Sequence, residues 1–142
     1  MGKTNWKRVF LGGLLAMAVI RILGYLASVF YLEKVWHPAM EALGLSTQFS
    51  VELIIFMFAR SLGVGILAVW LYSAILPRYG AGPKTAVIAG LAVWILNDVL
   101  PAITLGEAGL YPANVLVINS LTSLVRYTIA TLAGAWIYKE EQ

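Results

Sequence analysis

The sequence predicts an all-α membrane protein whose four transmembrane helices form two tandem, pseudo-repeated hairpins. Three observations lead there. Of 142 residues, 61% are hydrophobic and 12% charged, with a mean hydropathy of +0.83, whereas a soluble domain carries about 25% charged residues. One domain of this length cannot bury so much apolar surface away from water, so lipid is the expected solvent. Four apolar stretches, residues 9–32, 51–76, 85–105 and 112–138, are long enough to cross ~30 Å of hydrocarbon at ~1.5 Å per residue. Finally, the second and fourth stretches share a spaced motif. The whole chain, 1–142, reads as a single four-helix transmembrane domain.

The first stretch follows Lys3, Lys7 and Arg8, as the apolar core of a signal peptide would. Its apolar run is longer than the ~7–15 residues of such a core and lacks a clear small-x-small cleavage site, so it is expected to remain attached. Residues 33–50 read as a partly amphipathic loop with a short interfacial helix over 38–43. After the second stretch, Pro77, Gly80, Gly82 and Pro83 predict a tight turn, since Pro interrupts helices and Gly tolerates positive φ. Lys3, Lys7, Arg8, Arg78, Lys84 and Lys139 then fall on one side of the spans, and Lys34 on the other with Glu33, Glu41 and Glu107. The positive-inside rule puts both termini of this multi-pass protein in the cytoplasm. Trp6, Trp70, Tyr72, Tyr79, Trp136 and Tyr138 read as the inner aromatic belt, and Tyr31, Trp36 and Tyr111 as the outer one.

The repeat rests on Arg60, Trp70 and Tyr72 in the second stretch and Arg126, Trp136 and Tyr138 in the fourth, both fitting Arg-x9-Trp-x-Tyr. Aligning Gly13-Leu14 with Gly90-Leu91 sets Arg21 opposite Asp98. Two hairpins starting on the same side would be related by a pseudo-two-fold axis along the membrane normal.

Arg21, Arg60, Asp98 and Arg126 lie near mid-span, where each charge costs about 2.5–3.5 kcal/mol on insertion scales. Helical spacing groups Asn119, Thr122, Ser123, Arg126, Ala130 and Ala133 on one face, Gly90, Trp94, Asn97, Asp98 and Pro101 on another, and Gly13, Met17, Arg21, Gly24 and Ser28 on a third; Arg60 and Gly63 are placed together on the second span. The expected arrangement is an inward polar network of Arg21, Arg60, Asn97, Asp98, Asn119 and Arg126, with Asp98 paired to one or two arginines. A surplus of positive charge remains for an anion, a partner's carboxylate, or water and carbonyls to answer.

Other motifs carry little chemistry. Gly63, Gly65 and Ala68 fit a permissive dinucleotide fingerprint, but inside an apolar span they read as helix-packing residues. His37 could ligate a metal or tetrapyrrole only with partners the sequence does not supply, so no metal or other cofactor is expected. Ser28, Ser61 and Ser123 read as interhelical hydrogen-bond donors rather than nucleophiles, and no enzyme motif appears. With no cysteine, thiolate chemistry is excluded; the basic residues are dispersed, so nucleic acid is not an expected partner.

Residues 5–16, Leu67 to Tyr72, 80–94 and Gly134 to Lys139 resemble an uncharacterised family of small four-helix bacterial integral membrane proteins. That resemblance implies topology and a bacterial membrane, with cytoplasmic termini the bacterial cytoplasmic (inner) membrane, and no residue roles. Gly12-Gly13 and Arg21 are also similar to the first helix of small fluoride channels, whose later Asn-rich and Phe-containing pore motifs this chain lacks. The expected function is a non-catalytic membrane subunit that self-associates or assembles with other membrane proteins, as in a respiratory or photosynthetic complex. The alternative is a small anion transporter or channel using the mid-span arginines.

Overall fold

A computed structural model describes residues 4–48 and 50–139, among which every regular element is helical; Lys3 of the basic set lies outside them. Four helices are long and apolar enough to cross a membrane: α1 (Trp6–Ala42), α2 (Val51–Tyr79), α3 (Pro83–Glu107) and α4 (Ala113–Ile137). Local chemistry sets their ends. The Asn5 side chain accepts a hydrogen bond from the Arg8 amide, and Ser50 accepts one from the Leu53 amide, each answering an amide that the first turn leaves without a partner. Gly80, at φ 79°, stops α2, and Pro83 opens α3, where its missing N–H costs nothing.

Two boundaries differ from the sequence reading. Residues 33–42 are not a loop: α1 continues unbroken through a π-helical turn at Ser28–Leu32 and on past Pro38. Leu32 and Ala39 are buried and hold this extension to the bundle, while Pro38 sits on the exposed side. Pro77 likewise belongs to the last turn of α2, so the turn itself is confined to Gly80–Gly82. A second π turn, Ile95–Val99, interrupts α3 and carries Asn97 and Asp98.

The chain runs up, down, up and down. At the end holding both termini, the Asn5 amide donates to the Tyr138 hydroxyl and the Gly82 amide to the Tyr72 hydroxyl. The Tyr72 and Tyr138 rings meet edge to face at 5.9 Å. At the far end, Trp36 of α1 packs edge to face on Tyr111 of the α3–α4 connection at 4.8 Å. Helix α1 packs on α2 and α4, α3 packs on α4 and α2, and α2 touches α4 across the middle. The tightest packing lies in the termini half. A Cβ on Gly12 would stand 2.6 Å from the Gly134 carbonyl oxygen, and one on Gly65 would strike the Gly13 carbonyl. Val9, Val69, Tyr72, Ala86, Ala89, Ala135 and Tyr138 fill the core there. Tyr72 and Tyr138 are therefore core residues, not belt residues; their companions Trp70 and Trp136 are the exposed half of the shared motif.

Candidate functional site

The packing loosens toward the far end. Every residue from Val51 to Phe56 is exposed, so the first turns of α2 stand away from the bundle. Small residues close the α1–α2 contact at Gly13 and Gly65, and no comparable stripe continues beyond Ser61 on α2.

Where that contact opens, three arginines from three helices converge. Arg21 of α1, Arg60 of α2 and Arg126 of α4 line one pocket of about 40 Å³, with Ser61, Val64 and Tyr127 as its walls. The guanidinium of Arg21 lies over the Phe58 ring and that of Arg126 over the Tyr127 ring, each at 5.1 Å from the centroid, contacts that partly compensate a cation away from water. Among the described residues no carboxylate lies within 4.0 Å of any of the three; the only such approach is between His37 and Glu33, at 3.8 Å. The Nε of Arg126 is buried with no hydrogen-bond partner. A guanidinium has five N–H donors and no acceptor, so the cluster presents donors and positive charge toward a space the protein does not fill.

Arg21 and Arg126 also form the floor of a larger cavity of about 480 Å³. Its walls are Gly24, Ser28, Leu32, Trp36 and Met40 of α1, each four residues beyond the last so that they share a face, and Leu53, Ile54 and Met57 of α2. Glu33, His37 and the loop residues Ser46, Thr47 and Gln48 surround its far mouth. The walls are mainly apolar. Tyr25, Val29 and Ile54 on its rim are exposed, so it is a groove open along one side.

The six expected network residues thus fall into two groups. Asp98 is buried, and its carboxylate accepts from the Asn119 amide nitrogen at 3.1 and 3.4 Å. The expected Asp98–arginine ion pair is absent among the described residues. Its physical reason is topological: Asp98 sits on the π turn of α3, which packs on α4, while the arginine pocket lies among α1, α2 and α4. Asn97, next to Asp98, is half-buried and joins neither group. Arg60 lines its pocket from the exposed flank of α2, and Gly63 is exposed, because the buried face of α2 runs through Ser61, Val64, Gly65 and Ala68; Pro101 on α3 is exposed as well. Trp94, unusual for its mid-span position, donates to the Ser120 carbonyl at 2.8 Å and ties α3 to α4.

Two hydroxyls expected to bridge helices do not. Ser61 donates to the Met57 carbonyl and Ser123 to the Ser120 carbonyl, each within its own helix, a local bond always within reach of a helical Ser. Ser28 instead lines the groove, and His37 stands at its mouth. The groove is the feature sequence reasoning missed. Its one legible trace was Arg21, Gly24, Ser28 and Trp36 recurring on one face of a helix that continues past residue 32. Comparison with protein families, curated proteins and solved structures yields no match.

Proposed function

We propose that the chain is a multi-pass protein of the bacterial cytoplasmic membrane, with both termini in the cytoplasm, that binds an anion at Arg21, Arg60 and Arg126 without catalysing its chemistry. The observation that carries this reading is the convergence of three arginines with no carboxylate within 4.0 Å among the described residues. Dimensions support the membrane setting. Trp6 and Trp36 are 30 residues apart on one helix, about 45 Å at 1.5 Å per residue, which matches a bilayer with its headgroups. Arg21 is midway between them. A cation there is costly unless paired, and an anion from outside the chain supplies the pair.

The tandem-hairpin reading belongs to the same proposal. Residues matched by the Arg-x9-Trp-x-Tyr motif meet their counterparts: Arg60 and Arg126 share a pocket, and Tyr72 and Tyr138 share a contact. Matched positions touching each other is what a pseudo-two-fold axis between α2 and α4 produces. Both α1 and α3 also carry a π turn shortly before their far ends.

An anion that binds only the folded state raises stability by about 2.7 kcal/mol at a concentration 100 times its Kd. In a panel of inorganic and organic anions, at least one should raise the melting temperature of the purified protein, and Arg126→Leu should abolish that rise without lowering the basal value. A panel with no effect on the wild-type protein would overturn the reading. The exposed far end of α2 favours a second reading, an accessory subunit whose partner brings a carboxylate to the same arginines. In that case Arg126→Leu loses a stoichiometric co-purifying membrane protein, and no small anion stabilises the isolated chain.

A further inference from the structure

Resting on the anion-site reading, we infer that the ligand is a single-chain anionic amphiphile, its carboxylate or phosphate head at Arg21 and Arg126 and its hydrocarbon tail in the groove between α1 and α2. The two guanidiniums are the floor of the same cavity whose walls are apolar. A small hydrated ion would gain nothing from those walls, whereas a hydrocarbon tail gains roughly 25 cal/mol for each Å² it withdraws from water. The charge pattern along the groove sorts the ends of the ligand. Positive charge is concentrated at the floor, and Glu33 stands at the mouth, so an anionic head is favoured at the floor and opposed at the mouth.

Size and access narrow the class. From Arg21 to Glu33 the groove follows 12 residues of α1, about 18 Å at 1.5 Å per residue. A volume of about 480 Å³ is in the range of a site for one drug-sized ligand, too small for a two-chain lipid. The open side, rimmed by Tyr25, Val29 and Ile54, gives a tail in the bilayer a lateral route that a free aqueous ion would not use. Toward the termini the bundle tightens at the close Gly12–Gly134 and Gly13–Gly65 approaches and the core around Val69.

The test is saturable binding of radiolabelled laurate to the full chain in phosphatidylcholine nanodiscs, with empty nanodiscs subtracted and dodecyl phosphate, dodecanol, acetate and inorganic phosphate as competitors. One laurate per chain is expected, displaced by dodecyl phosphate but not by dodecanol. Arg21→Gln and Arg126→Gln should each weaken binding by at least about tenfold, the loss of roughly one charge-assisted hydrogen bond. Ser28→Trp, which fills the groove and leaves the arginines in place, should abolish laurate binding while sparing any thermal stabilisation by acetate. Equal displacement by dodecanol would overturn the inference, since charge would then not matter. Acetate or inorganic phosphate binding as tightly as laurate would overturn it while leaving the anion site standing. No binding of any anion would overturn both.

Discussion

A buried carboxylate must have its lone pairs answered by donors, and at Asp98 the donor is the Asn119 amide, reaching both oxygens. Replacing Asn119 by Leu removes that donor and leaves the carboxylate buried, whereas Asp98→Asn keeps a partner for Asn119 and removes the charge. Polar bonds between membrane helices are worth about 0.6–2 kcal/mol, and an orphaned buried acceptor costs about 1–3 kcal/mol. Asn119→Leu should therefore lower the melting temperature in detergent by several degrees, and Asp98→Asn by clearly less. Equal losses would mean that Asp98 is held by an arginine after all. The sequence showed which residues are polar at mid-span, but it could not show the partners. Arg21 and Asp98 match in the aligned hairpins, yet a repeat brings counterparts together only beside its axis, and those two helices, α1 and α3, do not pack on each other.

Helices were the most legible level, because four long apolar runs admit few other readings in lipid. The π turns were not legible: Ser28–Leu32 and Ile95–Val99 have no composition that distinguishes them from the α-helix around them. Nor was the continuation of α1 through Pro38, since a proline inside a helix is tolerated only where neighbouring contacts hold the chain, and those contacts lie in α4. Glycines show how far sequence periodicity reaches. Gly63 and Gly65 look equivalent in the sequence, but a Cβ on Gly63 meets nothing within 4 Å, while Gly65 lies against the Gly13 backbone. The same contrast separates Gly63 from Gly134, whose added Cβ would sit 2.8 Å from the Gly12 carbonyl oxygen and 2.5 Å from a Val69 methyl. Gly134→Ala must push α1 and α4 apart and should cost about 1–3 kcal/mol, the usual range for overpacking. Gly63→Ala should be neutral or slightly stabilising, since Ala is the better helix former. Thermal denaturation of the two variants side by side checks the pair, and comparable losses would refute the close α1–α4 approach.

At the scale of the molecule, charge and packing are both divided between the two ends. Lys7, Arg8, Arg78, Lys84 and Lys139 gather with the termini, where the bundle is tightly closed, and Lys34 stands at the far end with Glu33, Glu41 and Glu107, where the groove opens. Under the orientation proposed from the positive-inside rule, the closed end would face the cytoplasm and the mouth of the groove would face outward. That orientation would decide the source of the proposed ligand, because a groove open to the outer half of the bilayer would draw amphiphiles from that half. A reporter fused after Gln142 should therefore read cytoplasmic, and one inserted at Gly44, where the chain takes φ 68° beyond the end of α1, should read external. Exchanging the charges at the two ends, with Lys7, Arg8, Arg78 and Lys84 made Glu and Glu33 and Glu41 made Lys, should shift a measurable fraction of molecules to the opposite signals. Four helices with both termini on one side allow either orientation, so this fraction measures how much of the choice rests on charge. Both reporters on the same side of the membrane in the unaltered chain would refute the four-span arrangement itself.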